Sequence, residues 1–268
     1  MKRIERRFGI NADCLKGISE RDALALIKNA GFESVFLSSY HDQEVESIKK
    51  EADRLGLEVE FIHAPFKGIN TIWQSGMEYL TIFEQMKETV DSAANNGIKK
   101  VITHVSSGWN SPEVNDLGLA RFDELVLYAK ERGVTLAFEN LRKVGNLACL
   151  IDRYEKMDNV RFCYDCGHEN CYTNPVRWMD IFQSKVSCTH IHDNPGRPLD
   201  NKVDDFDWHD LPFDGTCDYK RMMSDLDRYG YEGALTLEVT QYKPAYEKWS
   251  AEQFLDECYS RIKKISKM

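Results

Sequence analysis

Residues 89–105 read TVDSAANNGIKKVITHV. The first half is an amphipathic, helix-like stretch, Gly97 closes it, and a β-branched run of strand character follows. The same unit recurs along the chain: ALALIKNAG before FESVFLSS, IKKEADRLG before LEVEFIHA, LVLYAKERG before VTLAFEN, and MSDLDRYG before YEGALTLEV. The glycines at these junctions are Gly31, Gly56, Gly97, Gly133 and Gly230. Each falls where a helix would end in the left-handed conformation, which glycine adopts at little cost. Ser19, followed three residues later by Asp22, supplies a start signal for the first helix.

Worked outward, the pattern predicts eight strands near 8–13, 34–39, 58–64, 99–105, 134–139, 160–166, 186–192 and 233–239. Helical stretches separate them. Parallel strands need a crossover helix between each pair, so this alternation predicts a parallel sheet. Eight such units in 268 residues fit a single α/β domain spanning 1–268, a closed (β/α)8 TIM barrel. An open doubly wound sheet is the competing architecture. Against it, NADCLKG after the first strand is not the glycine-rich phosphate loop G-x-G-x-x-G. The longest loop-like region is 193–217, and its length predicts a functional loop after the seventh strand.

Hydrophobic residues make up 42% of the chain, enough for a sizeable core, which excludes a disordered class. The net charge of −9 excludes a broadly basic nucleic-acid or membrane-surface protein. No window approaches the roughly 20 apolar residues of a membrane span, and no secretory signal is legible behind the basic start. A cytoplasmic protein is therefore expected, with its eight cysteines as free thiols. Cys163 and Cys166 form a CxxC, but they sit on a strand, where neighbouring faces alternate. Their thiols should diverge, and ordinary packing is the expectation. Cys188 is read as a small filler pointing into the barrel.

The polar residues fall at strand ends, where this architecture keeps its chemistry. Strand 3 ends in His63, strand 4 in His104 and strand 5 in Glu139. Strand 6 ends in Asp165, with His168 three residues on. Strand 7 ends in His190, followed by His192 and Asp193, and strand 8 ends in Glu238. The long loop adds Asp207 and His209. Of seven histidines, only His41 lies clearly outside this set. Carboxylates crowded into one volume repel and desolvate one another unless a cation is present. Imidazole with carboxylate suits zinc, manganese, cobalt or iron. Arg197 and Lys202 in the long loop are candidates to orient a hydroxyl or phosphate. Phe66, Trp73 and Trp208 are candidates for an apolar wall against a sugar face.

FIHAPF, VITHVSS, LAFENL, YDCGH, THIHDN, DFDWHDLPFDG and LTLEV, in that order, resemble the xylose isomerase-like barrel superfamily. Its members include sugar and sugar-phosphate isomerases and epimerases, inosose dehydratase-like enzymes and endonuclease IV. In the isomerase and epimerase branch the resemblance implies one divalent ion, zinc, manganese or cobalt, held by Glu139, Asp165, His190 and Glu238. Glu139 and Glu238 would exchange the proton. The substrate, a small sugar or sugar phosphate, would meet His63, His104, His168, His192, Arg197 and His209. In the endonuclease IV branch it implies up to three zinc ions, with His63, His104, His168, Asp207 and His209 as additional ligands, and abasic DNA as substrate. The loop APFKGINTIW after His63 does not resemble the DNA-binding counterpart, so nucleic acid and membrane partners are not expected.

Overall fold

The structure, a computed structural model, describes residues 4–198, 200 and 205–268. Strands and helices alternate from one end to the other. β1 (Phe8–Asn11), α1 (Glu20–Ala30), β2 (Ser34–Leu37), α2 (Asp42–Leu55), β3 (Glu58–His63), α3 (Tyr79–Asn95), β4 (Lys100–Thr103) and α4 (Asp116–Glu131) form the first half. β5 (Thr135–Glu139), α5 (Val144–Arg153), β6 (Val160–Asp165), α6 (Cys166–His168), α7 (Trp178–Phe182), β7 (Val186–His190), α8 (Tyr219–Arg228), β8 (Leu235–Leu237) and α9 (Ala251–Ile265) form the second. Capping sets the first helix as expected: the Ser19 hydroxyl accepts from the Asp22 N–H, and Gly31 ends it at φ 107°.

All neighbouring strands pair in parallel, in the order β7-β6-β5-β4-β3-β2-β1-β8. Ile191 closes the ring. Its N–H donates to the Thr236 carbonyl at 2.9 Å, and its carbonyl accepts from the Glu238 N–H at 3.1 Å. The (β/α)8 barrel is therefore the fold, and the open sheet is not. Several strands stop one or two residues before the sequence pattern does. The side chains of residues just past the strand ends, such as His104 and Glu238, line the cavity at the barrel mouth.

Apolar side chains divide into two compartments. The larger lies between the sheet and the surrounding helices. The smaller fills the barrel interior with Phe36, Phe61, Ile102, Ala137, Cys163 and Cys188, one from each of β2 to β7. Cys163 and Cys188 are interior fillers, while Cys166 packs on the outer side, so the two CxxC thiols diverge as alternation requires. All eight cysteines are free. Among the described residues, no helix is long and apolar enough to cross a membrane.

The long connection after β7 folds back over the mouth. Asp193 and Asp210 pair as an antiparallel bridge, with N–H to carbonyl distances of 2.8 and 2.9 Å. The buried Asp193 carboxylate also accepts from the N–H groups of Phe213 and Cys217. This staple carries Asp207 and His209 to the strand ends.

Candidate metal centre

Alternation along the strands builds the site directly on the interior filling. The residue two places beyond Phe61 is His63, beyond Ile102 is His104, beyond Ala137 is Glu139, beyond Cys163 is Asp165, and beyond Cys188 is His190. Each therefore points to the same axis as its apolar predecessor. Glu139 is the hub and is 1% exposed. One carboxylate oxygen lies 3.2 Å from His63 Nε2 and 3.1 Å from His104 Nε2. The other lies 3.0 Å from His190 Nδ1 and 3.2 Å from His168 Nδ1. Glu238 reaches His190 Nδ1 at 3.3 Å, and Asp165 reaches it at 3.8 Å. On the loop side, Asp207 lies 3.1 Å from His168 Nε2 and 3.4 Å from His209 Nε2.

Two neighbours lock this frame. Asn140 clamps the end of β6: its amide donates to the Asp165 carbonyl and accepts from the Asp165 N–H, both at 2.8 Å. The Asp165 carboxylate accepts from the His168 N–H at 2.6 Å. His209 is a non-glycine residue at φ 48°, a sparsely populated conformation that surroundings must hold in place. Its Nδ1–H donates to the Glu238 carbonyl at 3.0 Å.

The donors fall into three groups, each with ligand atoms within 4.8 Å of one another: His63–His104–Glu139, Glu139–Asp165–His190–Glu238, and His168–His192–Asp207–His209. Tetrahedral donors at about 2.0–2.2 Å from an ion stand about 3.3–3.6 Å apart, so these groups would close on an ion by contracting about 1 Å at their widest. The outer nitrogens also fit. His63, His168 and His209 each present Nδ1 to a main-chain carbonyl, those of Ala64, Asn140 and Glu238. That fixes the tautomer in which Nε2 keeps its lone pair toward the site, the arrangement of metal-ligating histidine. Asp207 Oδ1 and Glu238 Oε2 are buried and have no hydrogen-bond partner among the described residues.

Without a cation, protons take up the balance. Burial alone pushes the Glu139 carboxyl up, but the charge of His190 and hydrogen bonds from three imidazoles outweigh it and hold the group well below the usual range. Asp207 is held well below its range too: burial opposes ionisation, and His168 and His209 overcome it. Burial presses His190 down, yet Glu238 and Glu139 raise it to about 10. His209 also rises to about 10, against burial, through Asp207 and Glu238. His104 goes the other way, lowered by burial.

Above this floor lies a cavity of about 340 Å³, at the small end of ligand pockets. His63, His104, Glu139, His168, Asp207, His209 and Glu238 line it. Asp165 and His190 are fully buried beneath it. His192, expected to face substrate, is fully buried and absent from the lining. Its Nε2 sits 3.1 Å from Asp165, its ring stacks on His209 at 4.0 Å, and a side chain at Gly167 would overlap it. Beyond β7 the chain pairs through Ile191 with β8 and through Asp193 with Asp210, and the returning loop lays His209 over the His192 ring. Arg197 is also outside the lining, held over the Trp109 ring at 3.7 Å. Lys202 lies outside the described residues. Of the apolar wall only Phe66 is in place, stacked on His104 at 4.3 Å. Trp73 is core, 2% exposed, because Gly118 leaves a slot for its ring. Trp208 is exposed beside Phe206. His41 pairs with Glu88 on the surface, away from the site.

The cavity also contains residues that strand-end reading did not find: Ser38, Ser107, Arg142, Tyr172 and Asp205. Ser38 had a signal, standing two places beyond the interior residue Phe36. Arg142 had a weaker one, three residues past Glu139 on the same loop. Tyr172 and Asp205 had none.

A family model described as xylose isomerase-like TIM barrel matches residues 24–258. The chain belongs to that family. No curated protein matches it in sequence. Among solved structures it is similar to the IolI protein with a bound zinc atom, at 15% identity and TM-score 0.78, covering 97% of this chain and 98% of that one. The xylose isomerase domain protein of Planctomyces limnophilus gives 17% identity and TM-score 0.75 over 100% and 98% of the two chains. The D-allulose 3-epimerase of Methylomonas sp., in complex with D-allulose, gives 14% and 0.74 over 98% of each. At these identities the likeness is one of fold.

Proposed function

We propose that this protein is a metal-dependent sugar or sugar-phosphate isomerase or epimerase. The observation that carries the reading is the pair of carboxylates flanking His190 Nδ1, Glu139 at 3.0 Å and Glu238 at 3.3 Å, at the floor of a small polar cavity. Glu139, Asp165, His190 and Glu238 would hold one divalent ion, with zinc, manganese or cobalt suited to the donor set. The remaining groups leave room for up to three. When bound, the ion polarises the carbonyl of the sugar and acidifies the neighbouring C–H. Glu139, kept ionised by the imidazoles around it, accepts the proton at its carboxylate oxygen. Glu238 approaches from the other side and donates one, so that the carbon inverts or the carbonyl moves. The cavity-lining histidines position hydroxyls: His104, kept neutral by burial, offers one donor and one acceptor, and the protonated His209 donates. Cytoplasmic action goes with this reading, since the cysteines are free. The D-allulose 3-epimerase and the zinc-bound IolI protein, similar to this chain in fold, support it.

Conversion of a panel of ketoses, aldoses and their phosphates in deuterated water tests the reading. Proton transfer puts deuterium on the carbon beside the carbonyl. A hydride shift keeps the original hydrogen and moves it to the next carbon. A fully metal-loaded protein that converts no member of the panel contradicts the reading.

A second reading is a zinc phosphodiesterase acting on abasic DNA. The presence of three donor groups, two of them sharing Glu139, favours it, and the net charge of −9 disfavours it. Alanine at His104 or His209 separates the two. In the sugar reading turnover falls while metal stays near one ion per chain. In the phosphodiesterase reading one or more ions are lost together with abasic-site cleavage.

A further inference from the structure

Arg142 lines the cavity, and Arg197 stands behind it outside the lining; together they form a cationic corner that the reaction outlined above does not use. The guanidinium of Arg142 lies over the Tyr172 ring at 3.7 Å, and Tyr172 in turn stacks on His168 at 5.2 Å. The guanidinium of Arg197 lies over Trp109 at 3.7 Å, and the same ring carries Arg142 at 5.6 Å. Leu141, Cys171 and Tyr172, with Trp109 and Phe206 packed on them, make a rigid apolar shelf beneath both cations. Stacking of this kind fixes the plane of a guanidinium and leaves its edge free to bind.

The corner is short of negative charge. Arg142 has one carboxylate partner among the described residues, Asp205 at 3.4 Å, whose side chain is 68% exposed. Its other contact is the Tyr172 hydroxyl at 2.5 Å. Arg197 donates to the Tyr172 carbonyl at 2.9 Å, which carries no net charge. Arg142 Nε and Arg197 Nη1 are buried and have no hydrogen-bond partner among the described residues. Burial and the charge of Arg142 both hold the Arg197 guanidinium below its ordinary range, though it stays charged. Two like charges on one aromatic shelf, with donors to spare, are stabilised by an anion placed between them and the cavity.

We propose that Arg142, backed by Arg197, is the seat of a terminal phosphate, so that the substrate is a phosphorylated sugar and not a neutral one. This rests on the isomerase or epimerase reading. A phosphate carries close to two negative charges at neutral pH, matching the two guanidiniums, whereas a carboxylate carries one. Arg142 lines the same cavity as Glu139 and Glu238, so one small molecule can meet both. Arg142 is a specificity residue in this account, and Asp205 is the group the phosphate displaces.

Two measurements on metal-loaded protein test it. In the first, inorganic phosphate is titrated into wild type and Arg142→Met, with metal content checked in both. Loss of about ten- to a hundredfold in phosphate affinity at equal metal content is expected. Equal affinity in the two proteins overturns the proposal, whatever the activity. In the second, sugars are compared as neutral, terminally carboxylated and terminally phosphorylated forms. The phosphorylated form should have the highest kcat/KM, through KM, and Arg142→Met should erase most of that preference. Arg142→Lys should restore part of it, as a charge without the planar fork. A neutral or carboxylated sugar preferred by wild type overturns the proposal. Arg142-dependent phosphate binding with no sugar converted leaves the phosphate seat standing and refutes the isomerase reading.

Discussion

Two rings of side chains lie one above the other inside this barrel. The lower, from Phe36 to Cys188, is apolar and fully buried. The upper, two residues further along the same strands, contains His63, His104, Glu139, Asp165 and His190, with Glu238 completing it. The rings touch: Phe36 stacks on His190 at 4.9 Å. The same backbone therefore presents two environments about one pleat apart. In the lower ring every buried atom contributes to folding through the hydrophobic effect. In the upper ring, burial of like charges works against folding until a cation or a proton balances it. Stability and chemistry are layered, and substitutions in the two rings should have opposite signatures.

The largest expected effect is in the upper ring. Glu238→Gln keeps size and removes the proton-transfer group, so turnover should fall about a thousandfold or more. The thermal midpoint should hardly move, because the charge removed sits among both carboxylates and protonated imidazoles. Steady-state kinetics and a thermal melt check both halves, and an active Glu238→Gln protein breaks the comparison. In the lower ring, Phe61→Ala should cost about 3–4 kcal/mol of stability by opening a cavity beneath His190. Denaturant unfolding reads this loss. Whatever fraction is folded should still bind metal.

How far these rings could be read in the sequence depends on how local their causes are. Strand alternation and helix-ending glycines are local, so the eight strands and the upper ring follow from runs such as VITHV and LAFEN. The rim depends on loops meeting across the mouth. Tyr172 and Asp205 lie far apart in sequence and meet only because the Asp193–Asp210 bridge folds the long loop back. Trp73 reads like a pocket aromatic, but the space left by Gly118, 45 residues away, draws it into the core. His192 continues the alternating pattern, but the returning loop covers it with His209 and keeps it out of the cavity.

A smaller effect concerns protons. His190 and His209 rise from 6.5 to about 10 in the metal-free fold. A raised histidine contributes stability that is fully present below about pH 6.5 and is lost as pH climbs through about 10. Metal-free protein should therefore lose stability across that window, while metal-loaded protein should not. Binding an ion must expel these protons, so affinity for Mn²⁺ should rise with pH, by up to about tenfold per unit for each proton released. Calorimetric titration from pH 6 to 8 measures this, and an affinity independent of pH contradicts the proton-filled site. The smallest effect lies far from both rings: Ser19→Ala removes the α1 cap, costing about 1 kcal/mol of stability with turnover unchanged.

The central claim is that the upper ring is a metal centre. X-ray diffraction at the absorption edge of the bound metal, on crystals of protein whose metal content is known from elemental analysis, tests it most directly. The account predicts an anomalous peak within about 2.0–2.3 Å of donor atoms from Glu139, Asp165, His190 and Glu238. Catalytically active protein with no metal at those four side chains would contradict it.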